Sequence, residues 1–359
     1  MTVRVYKTEE NVAEKLRKLD KPSGVAGEAI LRADTTREQQ NILGVGRKNL
    51  IINGCFRLSQ RGDFTSNTSV SNDTLYVDRW LYRGSGVTAT TRHDIGNDTN
   101  WGYPHKASNS LILTATSSGT GIMRHLQRSE GWYAGMPITF SAWVRSNSPK
   151  ARLFMYQHGG SPAYRVSSQP HSGNGGWEYL SFTVVNDSTA ANQNYFDIAI
   201  AEADFSNTYI TSGDYIEISE VQAEIGTVAT PFEIRHMTEE VALCQRFFEK
   251  SVNMSVNPST LGSTVAYTMI GAAFTSTAVR TQVEFKVTKR ADPAITRVPS
   301  TSLGNISGTW GWYNGSWNAG ATSVAQVNTN GFSIDVTVSG GIRYQAYLID
   351  GNWYADCEF

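Results

Sequence analysis

The chain has 359 residues, with 31 Lys plus Arg against 32 Asp plus Glu, so its formal net charge of −1 supplies no global field to draw nucleic acid or an anionic membrane. Thirty-two Gly, nine Trp and sixteen Tyr, in a background rich in Ser, Thr and Asn, suit antiparallel sheets joined by many turns. The length points to two domains with extras, and no apolar run approaches the ~20 residues of a membrane helix.

Residues 1–48 differ from the rest. The N-terminus, MTVRVYKTEE, lacks an apolar signal region, so a chain not exported by a standard signal is expected. Thr8 can cap a helix running to Leu19, with a narrow apolar stripe of Val12, Leu16 and Leu19, stopped by Pro22 and Gly24. Thr36 with Gln39 matches a capping box for a second helix over residues 36–43, ended by Gly44 and Gly46. Stripes this narrow do not stabilise short helices alone. Two readings stand: a solvated arm, or an arm that self-associates or docks onto a larger assembly.

Residues 49–236 read as a first β module. Apolar runs recur at residues 50–52, 75–81, 110–116, 138–145, 152–156, 178–185, 195–201 and 215–221, separated by turn-forming segments such as residues 173–176. Eight or nine such strands predict a sandwich or jelly roll. Residues 139–145 alternate as a half-buried strand, and Trp80, Trp143 and Trp177, all inside predicted strands, are assigned to the core. After a turn-rich exit at residues 226–231, Thr238 is the expected N-cap of a linking helix over residues 237–250. Glu239 and Glu240 lie in its first turn, and Val241, Cys244, Phe247 and Phe248 share a face. This joint is expected to act as the hinge between two β modules. Residues 251–359 repeat the β pattern, with the clearest runs at 265–273, 279–288, 332–338 and 343–349, and a packed strand is expected at the C-terminus. The expected fold is mainly β: N-terminal helical arm, jelly-roll β-sandwich, short linking helix and C-terminal β-sandwich tip. Cys55, Cys244 and Cys357 fit neither CxxC nor zinc spacing and read as buried thiols.

Several motifs occur in the order of a module widespread in bacteriophage tail fibres. Residues 49–56 (NLIINGCF), 60–62 (QRG) and 78–80 (DRW) resemble its opening. Residues 141–145 (SAWVR) and 177–184 (WEYLSFTV) resemble inner strands, 221–233 its exit, and 243–248 (LCQRFF) the helix that follows. Residues 285–293 (FKVTKRADP) resemble a strand and turn of a fibre tip. The resemblance implies a jelly roll similar to carbohydrate-binding modules and a homotrimer. It also implies attachment through residues 1–48 to other tail proteins, and a place in the virion tail after assembly in the host cytoplasm. The expected function is adsorption to the host by non-covalent binding of surface polysaccharide, without nucleic-acid binding or membrane insertion. The alternatives are a polysaccharide-degrading tail enzyme (depolymerase or esterase) and a structural tail component that touches no receptor.

Sugar recognition needs flat apolar faces for pyranose rings and polar groups for their hydroxyls. The first candidate is the Gly/Asn-rich stretch holding Trp310, Trp312, Tyr313 and Trp317, whose rings could instead pack around a trimer axis or in a core. The second is Trp101 and Tyr103, next to Pro104 and His105; the third is Tyr164 with Tyr156, across the Gly159–Gly160 turn. No Gly-x-Ser-x-Gly elbow, phosphate loop or His-Glu-x-x-His appears, and no catalytic residue is assigned. Glu202 and Asp204 could mimic a glycosidase pair, but solvated carboxylates are the more ordinary explanation. No cofactor is expected; a structural Ca²⁺ is compatible with Asp/Asn-rich loops such as residues 94–98.

Overall fold

The computed structural model describes residues 48–94, 109–131, 133–158, 165–185, 193–254, 268–298 and 308–358. The helical arm expected over residues 1–48 lies outside the described residues except for Lys48.

Thirteen strands build the first module: β1 (Thr68–Val70), β2 (Thr74–Leu75), β3 (Leu81–Ser85), β4 (Ala89–Asp94), β5 (Ser110–Ala115), β6 (Gly119–Glu130), β7 (Pro137–Ser146), β8 (Ala151–His158), β9 (Arg165–Ser167), β10 (Trp177–Val185), β11 (Gln193–Ile200), β12 (Thr208–Ile210) and β13 (Tyr215–Ile225). They form two antiparallel sheets, ordered β1-β4-β5-β13-β7-β10 and β2-β3-β6-β11-β8-β9, with β12 added to β6. One core lies between them. Ile138, Phe140, Ala142 and Val144 of β7 meet Leu153 and Met155 of β8 and Phe196 and Ile198 of β11, with Trp80 fully buried beside them. Because side chains alternate along a strand, the same β7 presents Thr139, Ser141, Trp143 and Arg145 to the outer face. A register slip of one residue would exchange the two sets, so the pattern fixes the pairing.

Residues 50–52, expected as a strand, are irregular. The Asn49 side chain takes the place of a strand partner: Oδ1 accepts from the amides of Ile51 (2.9 Å) and Ala223 (3.1 Å), and Nδ2 donates to the Val221 carbonyl (3.1 Å). Asn53 adopts the left-handed region at φ 57°. Gly54 packs so closely on β13 that a Cβ would collide with the Val221 carbonyl oxygen.

The helix α1 is shorter than expected, Met237–Gln245, and its N-cap is His236, whose Nδ1 accepts from the Thr238 amide (3.3 Å). Glu240 in the first turn is buried and accepts from the Asn53 amide and from Arg235 Nη1. The helix stops because Phe248–Lys250 forms a strand, β14, whose register pairs it with the C-terminal segment.

The C-terminal region also departs from expectation. It is a closed barrel, not a sandwich. Its strands are β15 (Thr268–Thr275), β16 (Ala278–Glu284), β17 (Ala294–Val298), β18 (Thr309–Tyr313), β19 (Trp317–Asn328), β20 (Gly331–Thr337), β21 (Ala346–Asp350) and β22 (Asn352–Asp356). The barrel runs β15-β16-β20-β19-β18-β21, and β14-β22-β17 forms a separate three-stranded sheet. Closure comes from β21, which pairs with both β15 and β18 and so leaves no open edge. The terminal strand β22 is packed, as the sequence suggested.

The joint expected as a hinge is knit by charged contacts, the innermost of them buried. Arg79 is buried, its guanidinium 3.5 Å from the Phe247 ring centroid, and it pairs with Glu358 while donating to the Arg128 carbonyl. Arg61 bridges Asp356 (2.6 Å) and Glu358 (3.3 Å), and Arg246 reaches Glu130 (2.8 Å). Lys250 donates to the carbonyls of Gln60 (2.7 Å) and Met254 (2.9 Å), and burial lowers its pKa to about 8. All three cysteines are buried and free; burial pushes the Cys55 thiol up to about 11.

Candidate functional site

The outer face of the first sheet carries an aromatic trough. Trp143 on β7 lies directly opposite Tyr179 on β10, and their rings stand 5.4 Å apart at 56°. Across the other edge of β7, strand β13 bulges between Ser219 and Gln222, with Glu220 in the left-handed region at φ 47°. A bulge re-aims side chains, and a non-glycine held at positive φ marks a place where the surrounding structure imposes geometry. Here it sets Glu220 into the trough wall, beside Ser141 and Gln222. The far wall is the exit segment after β13, with Ala229, Thr230, Pro231, Phe232 and Ile234, and the enclosed volume is about 540 Å³. That lies within the roughly 300–1,000 Å³ typical of small-molecule clefts.

The exit segment is held by a buried polar network. Gln222 Nε2 donates to the Thr230 carbonyl (3.1 Å) and its Oε1 accepts from the Glu233 amide (2.8 Å). Glu224 accepts from the Thr230 amide (2.9 Å) and hydroxyl (2.6 Å). Lys48 Nζ donates to Thr230 Oγ1 and the Pro231 carbonyl, both at 2.5 Å. Burial, followed by the nearby charges of Glu224 and Glu220, raises the pKa of the Tyr179 phenol against the bond it makes with Ser141. Tyr179 is 44% exposed. The trough offers two tilted aromatic faces, a phenol, a hydroxyl and a carboxylate on a rigid frame. That chemistry can stack a sugar ring and satisfy its hydroxyls.

The sequence assigned Trp143 and Trp177 to the core. Both are half-buried on the outer face, because their strands direct Phe140, Val144, Leu180 and Val184 inward. Trp80 is a core residue, as expected.

The four-aromatic stretch divides by strand parity. Trp310 and Trp312 are buried in the barrel core; Trp310 Nε1 donates to the Val298 carbonyl (3.0 Å) and Trp312 meets Tyr347 edge-on at 6.1 Å. Neither ring has a face open for stacking on a ligand. Tyr313 and Trp317, paired across the β18–β19 hairpin, are 38% and 37% exposed with rings 5.4 Å apart. Gly351 lies under Trp310, and a Cβ there would collide with the indole. Gly351→Ala is expected to cost about 1–3 kcal/mol by overpacking, seen as a lowered melting temperature, whereas Tyr313→Ala should stay within about 0.5 kcal/mol.

Trp101, Tyr103 and Tyr164 lie outside the described residues, as do residues 95–98 of the loop considered for Ca²⁺. Asp94 pairs with Arg92. Glu202 accepts from Lys150 Nζ and Thr208 Oγ1, both at 2.7 Å, and Asp204 accepts from the Ser206 amide (3.0 Å) and hydroxyl (2.6 Å). Both carboxylates thus have local partners. Among the described residues no group of three or more His, Cys, Asp and Glu is placed to hold a metal.

No family model and no curated protein sequence matches the chain. There is a distant structural similarity to β-sandwich carbohydrate-binding modules and to a phage tailspike domain. The enzymatically active domain of tailspike protein 4 from bacteriophage CBA120 is 16% identical, with a TM-score of 0.32; the match covers 50% of this chain and 21% of that one. The module TmCBM61, solved with β-1,4-galactotriose, is 12% identical, with a TM-score of 0.30 and coverage of 50% and 100%. A family 11 module of the Clostridium thermocellum cellulase Lic26A-Cel5E is 15% identical, with a TM-score of 0.26 and coverage of 48% and 99%. At these identities no site residue carries across.

Proposed function

We propose that this chain is a bacteriophage tail-fibre receptor-binding protein that adsorbs non-covalently to host surface polysaccharide. The observation that carries the reading is the pairing of half-buried Trp143 with exposed Tyr179 beside Glu220, set in a trough whose far wall is fixed by buried hydrogen bonds. The motif order described above supports the tail-fibre context. In this reading residues 1–48 join the chain to the tail, and the protein is a homotrimer in the virion. Several weak sites per particle then gain avidity through effective concentration.

Self-association has its own support. Ile270 on β15, Leu348 on β21, Tyr313 on β18 and Trp317 on β19 occupy paired positions across four neighbouring barrel strands. Ile270 is 73% and Leu348 42% exposed, an apolar row of the kind that marks an interface. Leu348→Glu is expected to reduce a trimeric mass toward that of one chain in light scattering, and an unchanged mass would move assembly elsewhere.

The function is tested by incubating the chain with purified host polysaccharide. Retention of the chain with no fall in polymer size is the expected result. Shortening of the polymer would replace binding by catalysis. No retention, together with no competition against whole phage, would leave a structural tail component.

A further inference from the structure

The second sheet presents an outer face of different chemistry. Its outward positions bring arginines side by side: Arg83 on β3 pairs with Arg124 on β6, and Arg152 on β8 follows across Ala199. Arg128, two pleats along β6, stands opposite Tyr195, with its guanidinium 5.1 Å from that ring centroid. Between Arg83 and Arg128 lies a pocket of about 250 Å³. Its floor is a row of three leucines, Leu75, Leu81 and Leu126, in register across three strands.

Three arginines line this pocket, Arg79, Arg83 and Arg128, against the two carboxylates Asp73 and Glu358. Glu358 is engaged by Arg79 and Arg61, and Asp73 by Arg83. Arg128 has no carboxylate bridge among the described ion pairs, and its buried Nε lacks a hydrogen-bond partner, as does that of Arg152. The trough on the opposite sheet is lined by Glu220 and has no arginine in its wall. The linings of the two pockets therefore differ in charge, one carboxylate in the trough against three guanidiniums and two carboxylates here.

We propose that the pocket between Arg83 and Arg128 binds the carboxylate of an acidic sugar residue, as a second glycan site distinct from the trough. A guanidinium favours a planar carboxylate through charge-assisted hydrogen bonds, and the leucine floor suits the apolar edge of a pyranose. The volume is below that of clefts for drug-sized ligands, about 300–1,000 Å³, and suits a single sugar unit. Nucleic acid fits poorly. Tyr195 is covered by Arg128 and Phe154 by Phe205, so neither ring is open to a base, and the net charge of −1 gives no phosphate-tracking field.

The inference takes from the proposed function only that the ligand is a polysaccharide. Its test uses three uronate polymers (polygalacturonate, alginate and a glucuronate-containing capsule), each beside its methyl-esterified form. The expected result is binding of at least one acid form about tenfold more tightly than its ester, weakening as salt rises. Arg83→Gln with Arg128→Gln should abolish that preference while leaving the melting temperature and neutral-glycan binding unchanged. Trp143→Ala should keep the preference. If the double variant does not fold, Arg128→Gln alone is read in the same way. Equal binding of acid and ester, no binding of any acid polymer by a chain that still binds neutral glycan, or equal binding of a single-stranded oligonucleotide would each overturn the proposal. Loss of neutral-glycan binding alone would count against the trough and not against this pocket.

Discussion

Lys289→Met is expected to lower the unfolding free energy by about 3–5 kcal/mol. The Lys289 ammonium is fully buried and donates to Glu249 Oε2 (2.6 Å) and to the carbonyls of Gln245 (2.7 Å) and Val287 (2.8 Å). It thereby ties the end of α1 and strand β14 to the segment after β16. Burial lowers its pKa, with the Glu249 charge opposing. Removing the ammonium leaves the Glu249 carboxylate buried, with the Lys286 amide as its remaining described donor (3.0 Å). The double substitution Lys289→Met with Glu249→Leu removes both charges and should recover most of the loss, because a buried pair contributes little net stability against apolar packing. Chemical denaturation of the two single variants and the double variant measures the coupling. A single-variant loss below about 1 kcal/mol would show that the pair is not isolated from water.

Acidification gives the second large effect. His125 sits between the two sheets, its Nδ1 taking the Tyr76 hydroxyl and its Nε2 facing the Ile216 carbonyl (3.3 Å). Burial lowers its pKa from 6.5 to about 3, with the Ile216 bond opposing. The unfolded chain therefore binds a proton on this ring between about pH 6.5 and 3 while the folded chain does not. Stability is full above that window and falls as pH drops through it, by about 3 kcal/mol at pH 4 for this group alone. His93, also buried with a lowered pKa, acts in the same direction. Melting temperatures taken from pH 7.5 to 4 should fall steeply for the natural chain and less steeply for His125→Gln. Parallel curves would mean that His125 is not the titrating group.

The sequence made much of the sandwich legible because its strands alternate with a period of two. Residues 138–145, 178–185 and 195–201 appear as β7, β10 and β11 with nearly the expected bounds. The same alternation held the trough in view. If Phe140, Ala142 and Val144 point inward, Ser141, Trp143 and Arg145 must point outward; a place inside a strand does not by itself put Trp143 in the core, because alternate positions face opposite sides of the sheet. Parity also separates Trp310 and Trp312 from Tyr313 within one strand. What sequence could not supply depends on distant partners. The left-handed conformation of Glu220 arises from the shift in pairing between β13 and β7, and barrel closure from β21 finding two neighbours far apart in the chain. The buried joint joins Arg61 and Arg79 to Glu358, nearly three hundred residues onward in the chain, a contact no local pattern records.

The most direct measurement is a calorimetric titration of the natural chain, Trp143→Ala and Trp317→Ala with the host polysaccharide that retains the protein. Binding about tenfold weaker or more is expected for Trp143→Ala, as for a tryptophan anchor, with little change for Trp317→Ala. Unchanged affinity in Trp143→Ala, with the loss falling instead on Trp317→Ala, would contradict it and move the glycan site from the sandwich to the barrel.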